Sequence, residues 1–203
     1  MNRPHVRVLS LCLAALSLAG PASAQTVPKV ELSGGYQFLN FSVEDESESM
    51  PAGWYFDVAG NLTPMFGIVF QIGGNYKTFE ESATVGGITA TATADLKVHE
   101  FLGGVRLNLR RPNSPIVPYG QVLVGAINGS VEVTASTTIP GMAPITFNEE
   151  DSGTNFGLEL GGGVNFSLAD AFGLRVGADY LRAFEDEAGA NLFRFHVGVV
   201  FSR

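Results

Sequence analysis

The sequence predicts an all-β fold: an eight-stranded antiparallel up-and-down transmembrane β-barrel. Three observations carry this. From Asn191 to Phe201 the chain alternates strictly, with Phe193, Phe195, Val197, Val199 and Phe201 on one face and Leu192, Arg194, His196, Gly198 and Val200 on the other. About ten residues of period-2 alternation is the length of a tilted strand crossing a bilayer. Seven further segments read the same way. Their connections alternate between short turns and longer polar loops, the asymmetry of outer-membrane barrels. A soluble sheet with a phenylalanine row on its terminal strand would have a dangerous edge; closure removes the edge and turns the row to lipid.

The leader comes first. Arg3 and Arg7 precede an apolar run, Val8 to Ala19, then Gly20-Pro21 and Ala22-Ser23-Ala24. This is the pattern of a cleaved secretory signal peptide. Residues 1–24 are expected to be removed, leaving a barrel domain over 25–203. Cys12, the sole cysteine, falls in the leader, so the mature chain is expected to hold no thiol, disulfide or cysteine-bound metal. Without Arg3 and Arg7 there are ten basic residues against 20 acids, a net charge of −10. That balance argues against nucleic acid as a partner. No run of 18 apolar residues follows the leader, which excludes an inner-membrane helical protein but not a barrel.

The first strand runs from about Val30 to Phe41, with Glu31, Ser33, Gly35 and Gln37 on one face, and is followed by an acidic loop, Glu44 to Glu48. The second runs from Gly53 to Leu62, with Trp54, Phe56, Val58 and Leu62 outward and Tyr55, Asp57, Ala59 and Asn61 inward. After the Thr63-Pro64 turn, the third has Phe66, Ile68, Phe70, Ile72 and Tyr76 out, and Val69, Gln71, Asn75 and Lys77 in. Phe79 to Asp95 is an excursion with a Gly86-Gly87 turn, whose flanks could extend the hairpin into solvent. The fourth strand has Phe101, Val105, Leu107 and Leu109 out, and Glu100, Leu102, Arg106 and Asn108 in.

Arg110 to Pro115 makes the next turn. The fifth strand, Pro118 to Val131, alternates poorly; Tyr119, Leu123 and Ile127 are taken as lipid contacts. Glu132 to Thr154 reads as the longest loop. The sixth strand puts Phe156, Leu158, Leu160, Val164 and Phe166 out, and Asn155, Glu159 and Asn165 in, with Gly157, Gly161 and Gly163. The seventh puts Phe172, Leu174, Val176, Ala178 and Tyr180 out, and Arg175, Gly177 and Asp179 in. A loop with Glu185-Asp186-Glu187 leads to the terminal strand. Aromatics collect at the strand ends: Trp54, Tyr55, Phe79, Phe156, Tyr180 and Phe184 near the loops, and Phe66, Tyr119, Phe166, Phe172 and Phe201 near the turns.

The A-S-A leader, F-G-L-E-L-G-G-G-V-N-F, F-G-L-R-V-G-A-D-Y and the aromatic terminal strand together resemble the small outer-membrane barrel proteins: the OmpA-type transmembrane domain and its OmpX-like or Ail-like, porin-family-like relatives. The resemblance spans the mature chain. It implies residence in the outer membrane of a Gram-negative type envelope, contact with outer-membrane lipid and lipopolysaccharide, and monomeric insertion by a barrel-assembly machinery that reads Phe193, Phe195, Val197, Val199 and Phe201. Family chains commonly end on Phe; here Ser202 and Arg203 follow.

An eight-stranded barrel is just wide enough for its side chains to fill it. Ten titratable residues are expected inside: Glu31, Asp57, Lys77, Glu100, Arg106, Glu159, Arg175, Asp179, Arg194 and His196. Buried ions need partners, so Arg106, Arg175 and Arg194 are expected to bridge Glu100, Glu159 and Asp179. The acidic groups of the four loops are expected to form a negative collar, with divalent cations a candidate partner there. Enzymatic readings find little support. The mature histidines are His99 and His196, no His-x-Ser pattern of lipid A deacylases occurs, no histidine cluster suits a metal, and the glycine runs open no helix. The expected function is therefore non-enzymatic and free of cofactors: a structural or surface-interaction barrel. A minor porin-like channel and a soluble lipocalin-like binder are the alternatives.

Overall fold

The computed structural model describes residues 28–43, 46–184 and 189–203. The expected leader, Glu44, Asp45 and Glu185 to Glu187 lie outside the described residues. Among the described residues nine strands form a single sheet: β1 (Val30–Val43), β2 (Glu46–Met50), β3 (Ala52–Asn61), β4 (Phe66–Val85), β5 (Ile88–Asn108), β6 (Ile116–Thr138), β7 (Ile145–Ser167), β8 (Phe172–Phe184) and β9 (Ala190–Ser202). All neighbours are antiparallel. β1 also pairs with β9, from Glu31 opposite Ser202 to Ser42 opposite Asn191, which closes the barrel. Eight strands are staves, and β2 is a short return that pairs with the upper half of β1.

Closure explains the surface. The outward rows meet lipid, so Phe70, Phe101, Phe172, Phe193 and Phe195 stay exposed together with many other large apolar side chains. Each stave pairs with a neighbour on both sides around the closed sheet, the arrangement a membrane interior demands. Trp54 Nε1 donates to the Tyr76 hydroxyl at 3.2 Å, and that hydroxyl lies 3.1 Å from His99 Nε2. His99 thus belongs to an outward aromatic cluster near the loop end, where amphipathic rings suit the interface.

Four expectations need correction. Tyr119, Leu123 and Ile127 are buried inside the barrel, and Val122 and Val124 are the exposed residues of β6. The register is pinned by Gln121, which stands opposite Arg106 and bonds to it inside. A one-residue slip would expose that amide to lipid and flip every side chain. Tyr55 is likewise interior, so neither Tyr55 nor Tyr119 belongs to the girdles. Glu132 to Thr154 is not a loop: β6 and β7 pair continuously out to Thr137 opposite Ile145, leaving residues 139–144 as the connection. Finally, part of the first acidic loop, Glu46 to Glu48, is strand β2. The Phe79 to Asp95 excursion is a hairpin extension, with β4 and β5 paired to Val85 opposite Ile88. Gly86 and Gly87 both take positive φ, 59° and 83°, which is what a two-residue hairpin turn matching the strand twist requires.

Candidate functional site

The lumen is built from the inward residues of all eight staves. Period-2 geometry delivers one residue in two from each strand to the axis, so the polar set of the sequence converges there. Of the ten expected residues, nine are buried in the lumen: Glu31, Asp57, Glu100, Arg106, Glu159, Arg175, Asp179, Arg194 and His196. Lys77 sits apart, above the barrel, half-buried against Glu48 and 4.3 Å over the Phe79 ring.

The charges divide into two clusters, and the expected pairing is redistributed. In the turn-side cluster, Arg175 bonds Asp57 at 2.6 Å and Glu31 at 3.2 Å, while Arg106 reaches Asp57 at 3.3 Å through both terminal nitrogens. Arg110, placed by the sequence in a turn, folds back onto Glu31. In the loop-side cluster Arg194 alone holds all three expected carboxylates: Asp179 at 2.6 Å, Glu100 at 2.5 Å and Glu159 at 2.8 Å. Arg106 and Arg175 touch none of those three, because the register sets them nearer the turns, opposite the level of Asp57.

Uncharged groups that the sequence analysis left out of the network tie the clusters together. Gln121 accepts from Arg106 at 2.9 and 2.7 Å and donates to Glu159 at 2.7 Å. Tyr119 lies with its ring 4.8 Å from the Arg106 guanidinium and 4.9 Å from that of Arg175. Its hydroxyl is 2.9 Å from His196 Nε2, and His196 Nδ1 is 3.0 Å from Asp179. Gln71 donates to Glu159, Gln37 donates to Glu100 and to Asn75, and Asn165 accepts from Arg175. The available signal was the inward glycine set. A Cβ on Gly161 would stand 1.7 Å from Asp179 Oδ1, and one on Gly177 would stand 2.5 Å from the His196 ring. These glycines mark where the network's bulky groups lie.

Loopward of Arg194 and Asp179 the lumen changes character. Leu39, Met50, Ile127, Leu181, Ala183 and Leu192 form a buried apolar layer. Above it opens a cavity of about 190 Å³ whose walls include Phe41, Leu96, Val98 and Val131. Beyond the mouth, β4 to β7 continue as a four-stranded sheet. The acids there do not form one collar: Glu80 and Glu150 fall on one face of this sheet, and Glu81, Glu149 and Asp151 on the other. Among the described residues no group of three or more metal-ligating side chains is gathered for a cation.

A closed barrel with a lipid-facing apolar band and an ion-paired interior defines an integral β-barrel membrane protein. The profile of the outer membrane protein beta-barrel domain matches residues 8–201, and the chain belongs to that family; it resides in the outer membrane. Among solved structures it is similar to Ail, the attachment invasion locus protein of Yersinia pestis, at 17% identity and a TM-score of 0.55, covering 87% of this chain and 100% of that one. It is also similar to Neisserial surface protein A, at 11% identity and a TM-score of 0.54, covering 90% of this chain and 100% of that one. Such identities speak for the fold. No curated protein sequence matches.

Proposed function

We propose that this barrel serves surface interaction, and that its lumen is a structural plug and not a solute path. The observation that carries this is the bracing of Arg194 against Glu100, Glu159 and Asp179, carboxylates from three different strands, directly beneath the apolar layer. An ion crossing the lumen would have to break these pairs, and removing one partner of a buried pair costs about 3–5 kcal/mol. The exposed working surface is then the sheet that projects from the loop side. Lipid and lipopolysaccharide are partners of the outer band, and the barrel-assembly machinery reads the outward row of β9, Phe193 to Phe201. Residues 1–24 act as the leader that brings the chain to the envelope, and the mature protein works as a monomer without a cofactor or catalytic step.

The test is conductance of the purified, refolded barrel in a planar bilayer. The expected result is a silent bilayer for the wild type. Steady, ion-selective openings of the wild type, altered by Glu159→Gln, would establish the channel reading instead.

A further inference from the structure

The projecting sheet is strongly two-faced. Antiparallel partners share a face, so the register sorts it into rows. One face reads Thr78, Asp95, Glu132 and Glu150 across four strands, then Glu80, Thr93, Thr134 and Asn148, then Ser82, Thr91, Ser136 and Thr146. It is wholly polar. The other face reads Lys77, Leu96, Val131 and Asp151, then Phe79, Ala94, Val133 and Glu149, then Glu81, Ala92, Ala135 and Phe147. This face is apolar along β5 and β6 and carries acids at its margins. Its large side chains are uncovered, with Val133 40% exposed and Phe147 64% exposed. It is the same face that lines the lumen, so the strip runs without a break into the apolar mouth cavity. The cavity is a dead end, since the apolar layer and the Arg194 cluster lie under it.

We infer that this strip is the docking surface for a basic amphipathic peptide segment, held by its apolar side on Val131, Val133 and the β5 alanines and by its basic residues at Glu81, Glu149 and Asp151. The inference rests on the surface-interaction reading and names its partner class. Charge complementarity selects the occupant: the acids flank the strip, Lys77 is already taken by Glu48, and the chain carries 20 acidic residues against 12 basic ones. Dimensions agree. Four strands span about 14 Å and ten residues of strand about 33 Å, room for a helix about 10–12 Å across. The alanines at 90, 92 and 94 keep the floor low, and the mouth cavity accepts one large apolar side chain.

The test uses the full barrel in nanodiscs of zwitterionic lipid, since detergent would itself coat the strip. The probe is a dye-labelled 18-residue helical peptide of leucine and lysine with one apolar face. Saturable binding above that of empty nanodiscs is expected, weakened tenfold or more by Val133→Lys and at least threefold by Glu149→Lys. Heat-modifiability on gels verifies that each variant is folded, and Ala135→Lys, farther from the barrel, tests the same strip if Val133→Lys does not fold. Equal binding of a leucine–glutamate peptide, or binding indifferent to both strip variants, would overturn the inference. So would displacement of the peptide by a free fatty acid at stoichiometric amounts, which would make the strip an acyl-chain site. A barrel dimer abolished by Val133→Lys would assign the strip to a second copy. Failure to bind in a barrel that does not conduct would remove only this partner class; a conducting barrel would remove the surface-interaction reading itself.

Discussion

Arg194 stands directly across from Asp179 on neighbouring strands and donates to its Oδ2 twice, from Nε at 2.9 Å and from Nη2 at 2.6 Å. The same guanidinium turns its remaining capacity to Glu100 and Glu159. One cation thus organises three buried carboxylates that would otherwise repel each other in a narrow space. Replacing Arg194 with methionine leaves those three acids without their shared partner. The expected loss is about 3–5 kcal/mol, read as a shift of the urea unfolding midpoint of the vesicle-inserted barrel. A loss under about 1 kcal/mol would mean that water reaches the cluster and screens it.

Gly161 is the counterpart of that pair on β7. Its inward position lies against the Asp179 carboxylate, and an alanine methyl there collides with Oδ1. Gly161→Ala is expected to displace Asp179 from Arg194 and His196 and to lower stability by about 1–3 kcal/mol. The double variant Gly161→Ala with Asp179→Ala should lose less than the two separate effects combined, measured by the same unfolding assay. Strict additivity would show that the methyl acts elsewhere.

The orientation of β6 is tested by labelling. Single cysteines with a spin label at Val122 and at Leu123 should report opposite surroundings: strong relaxation by lipid-dissolved oxygen at 122, and protection at 123. Val122→Arg should also destabilise by about 2–4 kcal/mol if the site lies near the bilayer midplane. Protection at 122 with exposure at 123 would restore the opposite facing of the strand.

At the loop end, Lys77 hydrogen-bonds and pairs with Glu48, which holds that carboxyl below its ordinary range. A carboxyl whose folded value is depressed contributes stability above its unfolded value, and that contribution disappears as pH falls through the folded one. The pair should therefore survive mild acid and open only below the usual carboxylate range. Carbon-detected titration of Glu48 checks this, and Lys77→Gln should return the carboxyl toward its ordinary value. Because Glu48 is exposed, the effect on global stability is expected to be too small to shift the unfolding midpoint.

The projecting sheet is expected to be dispensable for folding. Its rows pair only with one another, and the barrel closes below them through β1 and β9. Excising residues 78–95 together with 132–150, each rejoined by an Asn-Gly turn between residues that already pair, should preserve the heat-modifiable gel shift while removing Val133, Glu149 and the β5 alanines of the apolar strip. Loss of the shift would show that the hairpins help the staves find their register.

Much of the barrel was legible because membrane strands obey a two-residue period and their lipid rows are large and uniform. Phe193 to Phe201 declare their face without context, and so do Phe66 to Ile72. β6 did not, because both of its faces are apolar: Val122 and Val124 look as buried in sequence as Leu123 and Ile127. Only pairing with β5, through Gln121 and Arg106, decided which row turned inward. The same limit governs the ion pairs. Alternation tells which charges point at the axis, so nine of the ten expected lumen residues could be named from sequence. Partner choice depends on the height of each residue in the closed barrel, a property of register across several strands. That height brought Arg194 to all three upper carboxylates and sent Arg106 and Arg175 to Asp57. The long segments Phe79–Asp95 and Glu132–Thr154 read as excursions because their serines, threonines and acids lack a lipid row. They are strands nonetheless, since antiparallel pairing supplies backbone bonds that a polar outer face does not disturb. The sequence by itself determined a closed barrel with charges inside and phenylalanine outside; tertiary register decided which charges meet and extended a two-faced sheet beyond the closed barrel.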